Sequence, residues 1–150
     1  MKYALSVAIL IAFSWVLQPA VVVAEQGIGF VQNVSGQAHI FRNSEKIDAE
    51  KGAQLHAGDT ISTGPDGSIG IVFQDQSSAS MGPNSNFVVR NFEFSPNEGK
   101  AGFLINITKG SFSYMSGLIA KLSPESAKFE TPTATIGIRG THFAINVEKP

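Results

Sequence analysis

Turn-forming residues interrupt this chain at short intervals, and that spacing leaves little room for long helices. Ser35-Gly36, Gly58-Asp59, Pro65-Asp66-Gly67, Gly82-Pro83-Asn84 and Pro96-Asn97-Glu98-Gly99 each separate two apolar stretches. Glycine tolerates positive φ, proline presets φ, and Asn or Asp can bond its own backbone, so each cluster marks a reversal. Between reversals the apolar period is two. Ile69, Ile71 and Phe73 share one face, and Phe103, Ile105 and Ile107 share another with Leu104, Asn106 and Thr108 opposite, the pattern of half-buried strands. Phe92 with Phe94, and Phe112 with Tyr114, repeat it. The apolar set steps from odd to even positions across Gly110, which predicts a bulge there. The expected fold class is all-β: a single-domain β-roll or β-sandwich of short antiparallel strands and hairpins, following a helical signal peptide.

Four hairpins are expected from the turn signals. Residues 28–34 and 37–42 pair about Ser35-Gly36, and residues 67–73 and 77–81 about Gln74-Asp75-Gln76. Residues 86–95 and 100–109 form the longest, about Pro96 to Gly99. Residues 133–138 and 141–147 close the chain about Arg139-Gly140. The segment 117–126 (GLIAKLSPES) carries the weakest pattern and is expected as a loop or one short helical turn.

The first two dozen residues have the character of an export signal. Lys2 supplies a positive start, and Ala4 to Leu17 is fourteen residues without a charge. At a rise of about 1.5 Å per residue that run reaches ~21 Å, short of the ~30 Å hydrocarbon core of a bilayer. Pro19 then breaks the helix, and Val22-Val23-Ala24 offers small residues for signal peptidase. The domains expected are a signal peptide over 1–24 and one β domain over 25–150, with no stable membrane anchor after cleavage. Removing Lys2 with the signal leaves ten Lys/Arg against twelve Asp/Glu, a net charge of −2. Those charges are mixed along the chain with no basic run, which argues against nucleic-acid binding. There is no cysteine, so an exported domain of this composition must hold together by packing alone.

Residues that carry chemistry are scattered. His39, His56 and His142 are far apart in sequence, so no local pair has metal-ligand spacing, and neither a metal nor a cofactor is expected. No G-x-S-x-G elbow accompanies the serines, and the carboxylates come singly, without an acid/base pair for sugar cleavage. The chain is expected not to be an enzyme. The one tryptophan, Trp15, lies in the signal segment, which leaves no obvious aromatic platform for a glycan.

Three blocks stand apart. The first, LHAGDTISTG over 55–64, holds Gly58, Asp59, Ile61, Thr63 and Gly64. The second runs from Asp75 to Asn86. The third, TPTATIGIRGTHFAINV over 131–147, holds Arg139, Gly140, Thr141 and Phe143. Each block suits a turn that specifies the fold. An arginine at a tight turn between buried strands has five fixed donors with which to satisfy carbonyls.

In that order the blocks are similar to the FecR domain. The resemblance rests on Gly29 and Val31, L-x-x-GD-x-I-x-TG from Leu55 to Gly64, F-x-D-x-S from Phe73 to Ser77, P-x-S from Pro83 to Ser85, and TP-x-A-x-x-G-x-RGT-x-F from Thr131 to Phe143. It covers about Gly27 to Val147. Gln76 departs from it, standing where relatives usually carry glycine. The resemblance implies a bacterial extracytoplasmic β-rich domain, periplasmic in its best-known setting. There it forms part of a transmembrane anti-sigma regulator that senses an outer-membrane receptor for iron chelates.

No cytoplasmic helical domain precedes the apolar segment here, so a stand-alone exported module is expected, periplasmic or secreted. Its partner would be another cell-envelope protein, bound by strand addition at 141–147. A glycan or peptidoglycan surface is the alternative partner. Some relatives are processed at a Gly-Thr bond, and Gly140-Thr141 matches that pair. A threonine hydroxyl can attack the preceding carbonyl, moving the acyl group from nitrogen to oxygen before water opens the ester, with His142 or Asp59 as base.

Overall fold

The computed structural model describes residues 20–24 and 26–148. Residues 1–19 of the expected signal peptide over 1–24, and the residue expected to start the exported chain, Glu25, lie outside the described residues. No helix among those described is long and apolar enough to cross a membrane.

The chain is all-β. Among the described residues its twelve strands are β1 (Gly29–Ser35), β2 (Ala38–Arg42), β3 (Glu45–Asp48), β4 (Gln54–Leu55), β5 (Thr60–Thr63), β6 (Ser68–Phe73), β7 (Ser78–Met81), β8 (Asn86–Ser95), β9 (Lys100–Met115), β10 (Ala127–Glu130), β11 (Thr135–Gly137) and β12 (His142–Val147). The weakly patterned segment forms one short helix, α1 (Leu118–Leu122), and a 3-10 turn over Pro124–Ser126. The strands are hydrogen-bonded into one sheet in the order β3-β2-β5-β8-β9-β7-β6-β1-β4. All pairs are antiparallel except β9 with β10.

The sheet curls over into two layers, and β9 belongs to both. Its first half pairs with β8 on one edge and with β10 on the other. Its second half pairs with β7 and β12. The crossing falls where the apolar parity changes. One extra residue, Thr108, is accommodated between the pairs Phe87–Ile107 and Asn86–Lys109, and Gly110 follows at φ 89°. Ile107 and Phe112 therefore both face the core although they differ in parity. A second bulge admits Arg90 on β8.

Aromatic rings stitch the layers together. Phe87 meets Phe112 edge-on at 5.5 Å between centroids, and Phe73 stacks on Phe92 at 5.5 Å. Phe129 of β10 touches Phe103, Phe112, Tyr114 and Phe143 at 4.9–5.5 Å. Such pairs add about 0.5–1.5 kcal/mol each beyond the area they bury.

The hairpins about Gln74–Gln76 and Pro96–Gly99 form as expected. The other two do not. β1 pairs with β6 and β4, and β2 pairs with β3 and β5. At Gly36 the chain passes from one layer to the other instead of folding back, and a Cβ there would overlap the Asp66 carbonyl. Likewise β11 pairs with β10, closed by the turn in which Thr131 N–H donates to Ala134 O at 2.8 Å. β12 lies in the other layer beside β9. Gly140, at φ 131°, sits in the crossing between them.

A Gly110→Ala change should cost about 3 kcal/mol or more, since the new Cβ would lie 2.5 Å from Ser85 Cα in a left-handed backbone. Urea unfolding of the variant checks this; a loss under about 1 kcal/mol would mean the corner relaxes freely.

Candidate functional site

The first block is a set of buried ties. Leu55 and Ile61 are wholly buried, and between them Gly58, at φ 90°, donates its N–H to Val89 O at 2.7 Å. Asp59 is 1 % exposed and is held by Arg42, whose Nε and Nη2 donate to its two oxygens at 2.8 and 2.7 Å. The backbone N–H of His56 adds a third bond at 2.8 Å. Arg42 also donates to Gln54 O at 3.0 Å, so it fastens β2 to β4 and to the start of β5. The Thr63 hydroxyl donates to Gly82 O at 2.7 Å and accepts from Ser85 N–H at 2.9 Å. Gly64 donates to Gln37 O and accepts from Asn84 N–H.

The second block centres on Asp75, which is completely buried. Its Oδ1 accepts from the Ser77 hydroxyl at 2.5 Å and from Ser77 N–H at 3.1 Å. Its Oδ2 accepts from Ile119 N–H at 3.2 Å and its carbonyl from Leu118 N–H at 2.7 Å. Asp75 thus satisfies two of the free donors at the start of α1 from a distant turn. Gln76 adopts φ 66°, the conformation that glycine takes more readily. Tyr114 packs beside this node with its hydroxyl buried against Ser77 and Gly117, where it makes no well-formed hydrogen bond. Burial pushes that phenol well above its ordinary value, and the charge of Asp75 adds to the shift.

The third block lies at the surface. Arg139, Gly140 and Thr141 are exposed, and Arg139 makes no hydrogen bond or ion pair among the described residues. The expectation that it satisfies carbonyls is corrected, because the chain is crossing between layers there and leaves Arg139 exposed. Thr141 O accepts from Ser116 N–H at 2.8 Å and from the Ser116 hydroxyl at 3.3 Å. The His142 ring is paired with Ser113 Oγ at 3.0 Å. Phe143 points inward, half-buried, onto Phe129 and Tyr114.

Thr63 and Ser85, from two blocks, are brought together at the β9 corner. Asp59 and Thr141 share no bond: the first is taken up by Arg42 and His56, the second by Ser116. Sequence reasoning missed Arg42, whose seventeen-residue separation from Asp59 leaves no local signal.

Among the described residues the sheet ends on four edge strands. β3 carries Glu45, Lys46 and Asp48; β4 has two residues and β11 three. β12 has six residues, none formally charged, and among the described residues pairs only with β9. The Ser116–Thr141 bond fixes the phase of that pairing. Antiparallel strands alternate, so residues 143, 145 and 147 direct their backbone groups to β9. The N–H and C=O groups of His142, Ala144 and Asn146 then point away from the sheet.

A family model described as FecR protein matches residues 59–150, more than half of the chain. The chain belongs to the FecR family. No curated protein and no solved structure matches it. FecR membership makes it a signalling or sensing module of the cell envelope, and FecR domains are generally periplasmic. The matched span opens at Asp59, and the strands before it, β1 to β4, are hydrogen-bonded into the same FecR sheet.

Replacing Asp59 by alanine should cost about 3 kcal/mol, because the guanidinium loses its bidentate partner in a half-buried site. A double change of Asp59 and Arg42 to apolar residues should recover much of it, as read by urea midpoints. A second test uses Tyr114, the single tyrosine of residues 25–150, which contain no tryptophan. The folded state keeps its phenol neutral beyond the usual range, so its contribution is complete below pH about 10. That contribution is lost as pH rises further, because the unfolded chain gives up the proton first. Tyrosinate absorbance should therefore appear only with unfolding, and Tyr114→Phe should be at least as stable as the parent below pH 10.

Proposed function

We propose that the protein is an exported, non-catalytic FecR module that signals by binding another envelope protein, whose extended segment adds to β12. The observation that carries this reading is the contrast among the edges. Natural sheets blunt their edges with charge or shortness. β3, β4 and β11 follow that rule, and β12 does not. Strand addition takes its affinity from main-chain bonds and its specificity from alternate side chains. An incoming strand on β12 would also cover Phe143, Ile145 and Val147, which pack against the core while staying partly exposed.

The glycan reading finds less support. Among the described residues the exposed aromatic rings are Phe30 and Phe41, and they stand on strands of different layers.

Proline at 144 or 146 removes an outward N–H and leaves the bonds to β9 intact. Ala144→Pro and Asn146→Pro should each keep the fold by circular dichroism and lose the protein that residues 25–150 capture from an envelope extract. Amide exchange that shows residues 142, 144 and 146 already protected in the monomer would defeat the reading.

Export is proposed to release a chain that begins at Glu25, leaving a domain over 25–150. The intact mass of the secreted or periplasmic protein reads this directly. The same spectrum reads the Gly140–Thr141 bond. A single uncleaved species is expected, since no described residue holds a base against the Thr141 hydroxyl; a fragment starting at Thr141 would make that bond a processing site.

A further inference from the structure

The free edge of β12 is complementary to itself. Set two β12 strands antiparallel with Ala144 opposite Ala144 of a second copy. His142 then faces the copy's Asn146 and, by symmetry, Asn146 faces the copy's His142. These are the residues whose N–H and C=O groups point away from β9, so every free backbone group of one strand meets one of the other. On the outer face an imidazole stands opposite a carboxamide, and the central pair is alanine, too small to clash. On the inner face Phe143 stands opposite Ile145, an aromatic–β-branched pair of the kind that stabilises cross-strand contacts. Phe143, Ile145 and Val147 are the apolar side chains left half-covered at this end of the core.

Charge fits the same register. Glu148, just past the strand and exposed, comes opposite Gly140 of the copy, next to Arg139. Neither Arg139 nor Glu148 has an ion-pair or hydrogen-bond partner within the chain among the described residues. A two-fold axis through Ala144 makes this opposite-charge contact twice, as an isologous interface requires. Sliding the register by two residues in either direction leaves one end of each strand unpaired and parts Glu148 from Arg139. Sliding by one turns the free backbone groups away from each other.

We infer that β12, when no partner strand occupies it, is closed by β12 of a second copy in this register. The inference rests on the reading of β12 as the docking edge, and it makes the dimer the resting, self-blocked form of that edge. Six residues of strand are far below the roughly 1,200 Å² of a standard stable interface, so the dimer is weak and gives way to a better strand.

The chain has no cysteine, which makes cross-linking clean. In the exported protein, Ala144→Cys should form a disulfide-linked dimer under mild oxidation, since paired Cα atoms about 5.5 Å apart suit that bond. Asn146→Cys should not, lying off the axis. Sedimentation from about 10 μM to about 1 mM should show reversible dimerisation. Arg139→Glu and Glu148→Arg should each weaken it by about fivefold, and the two together should restore it. Neither charge change touches a buried group, so a folding defect does not obscure the result.

A monomer throughout that range, efficient cross-linking at 146 in place of 144, or failure of the double charge reversal to restore association would overturn the inference. Two further outcomes separate it from the partner reading. If no dimer forms but Ala144→Pro still abolishes capture from envelope extract, only the self-pairing fails. If the dimer forms in this register and capture ignores proline at 144, the self-pairing stands and the partner reading fails.

Discussion

The fold hinges on one close approach, that of the β9 backbone to Ser85 at Gly110. A single strand of sixteen residues has to serve two layers that face each other. That requires a sharp bend within continuous hydrogen bonding, and the bend leaves backbone groups to be satisfied inside the protein. Ser85, 2 % exposed, satisfies them. Its hydroxyl accepts from Ser111 N–H at 3.0 Å and lies within donating distance of the Pro83 and Ser111 carbonyls. Its own N–H and carbonyl are both engaged by Thr63. The serine occupies the volume a side chain at 110 would need. From this corner follow the parity change along β9, the placing of Phe112 and Tyr114 against Phe129, and the position of β12 beside the second half of β9.

How far the sequence revealed this depends on the range of each contact. The β6–β7 and β8–β9 hairpins were legible because turn residues and period-two runs lie next to each other, and the pairing is local. The step in parity at Gly110 was legible for the same reason. The Ser35-Gly36 and Arg139-Gly140 turns misled because a turn signal states that the chain changes direction and not in which layer it lands. Gly36 is fitted against Asp66, thirty residues on, and β12 finds its partner in a strand that ended before α1. β3 went unread because its reversal uses Asn43 and Ser44 at φ 49° and 68°, with no glycine to announce it.

The motif blocks were visible as blocks, and their roles were not. Asp59 looks like a turn residue in the sequence, and its neighbour His56 does donate to it. The interaction that justifies burying it comes from Arg42, in a strand the motif does not include. Gln76 shows the reverse case. The turn at 74–77 keeps its left-handed residue despite the missing glycine because Asp75 gathers four bonds around it, and those outweigh a strain of about 1 kcal/mol. Arg139 looked placed to satisfy carbonyls at a tight turn, yet the crossing between layers leaves it in solvent.

Stability and signalling place opposite demands on a small β domain. Every open sheet has edges, and a fold selected only for solubility would blunt them all. Here three are short or charged, so the remaining one is set apart by contrast. β12 is held to the domain by a single neighbour and by the inward rings and aliphatics of Phe143, Ile145 and Val147, which the core covers only partly. Under the proposed strand addition, full burial would hide those side chains from an incoming strand. Complete exposure would detach β12 from the cluster around Phe129 and Tyr114. The intermediate state keeps β12 packed on the core with its outward N–H and C=O groups in register, and leaves part of its apolar surface open. Phe143 touches both Phe129 and Tyr114, and Tyr114 lies beside Asp75, so packed rings run without a break from β12 to the buried node of the second block.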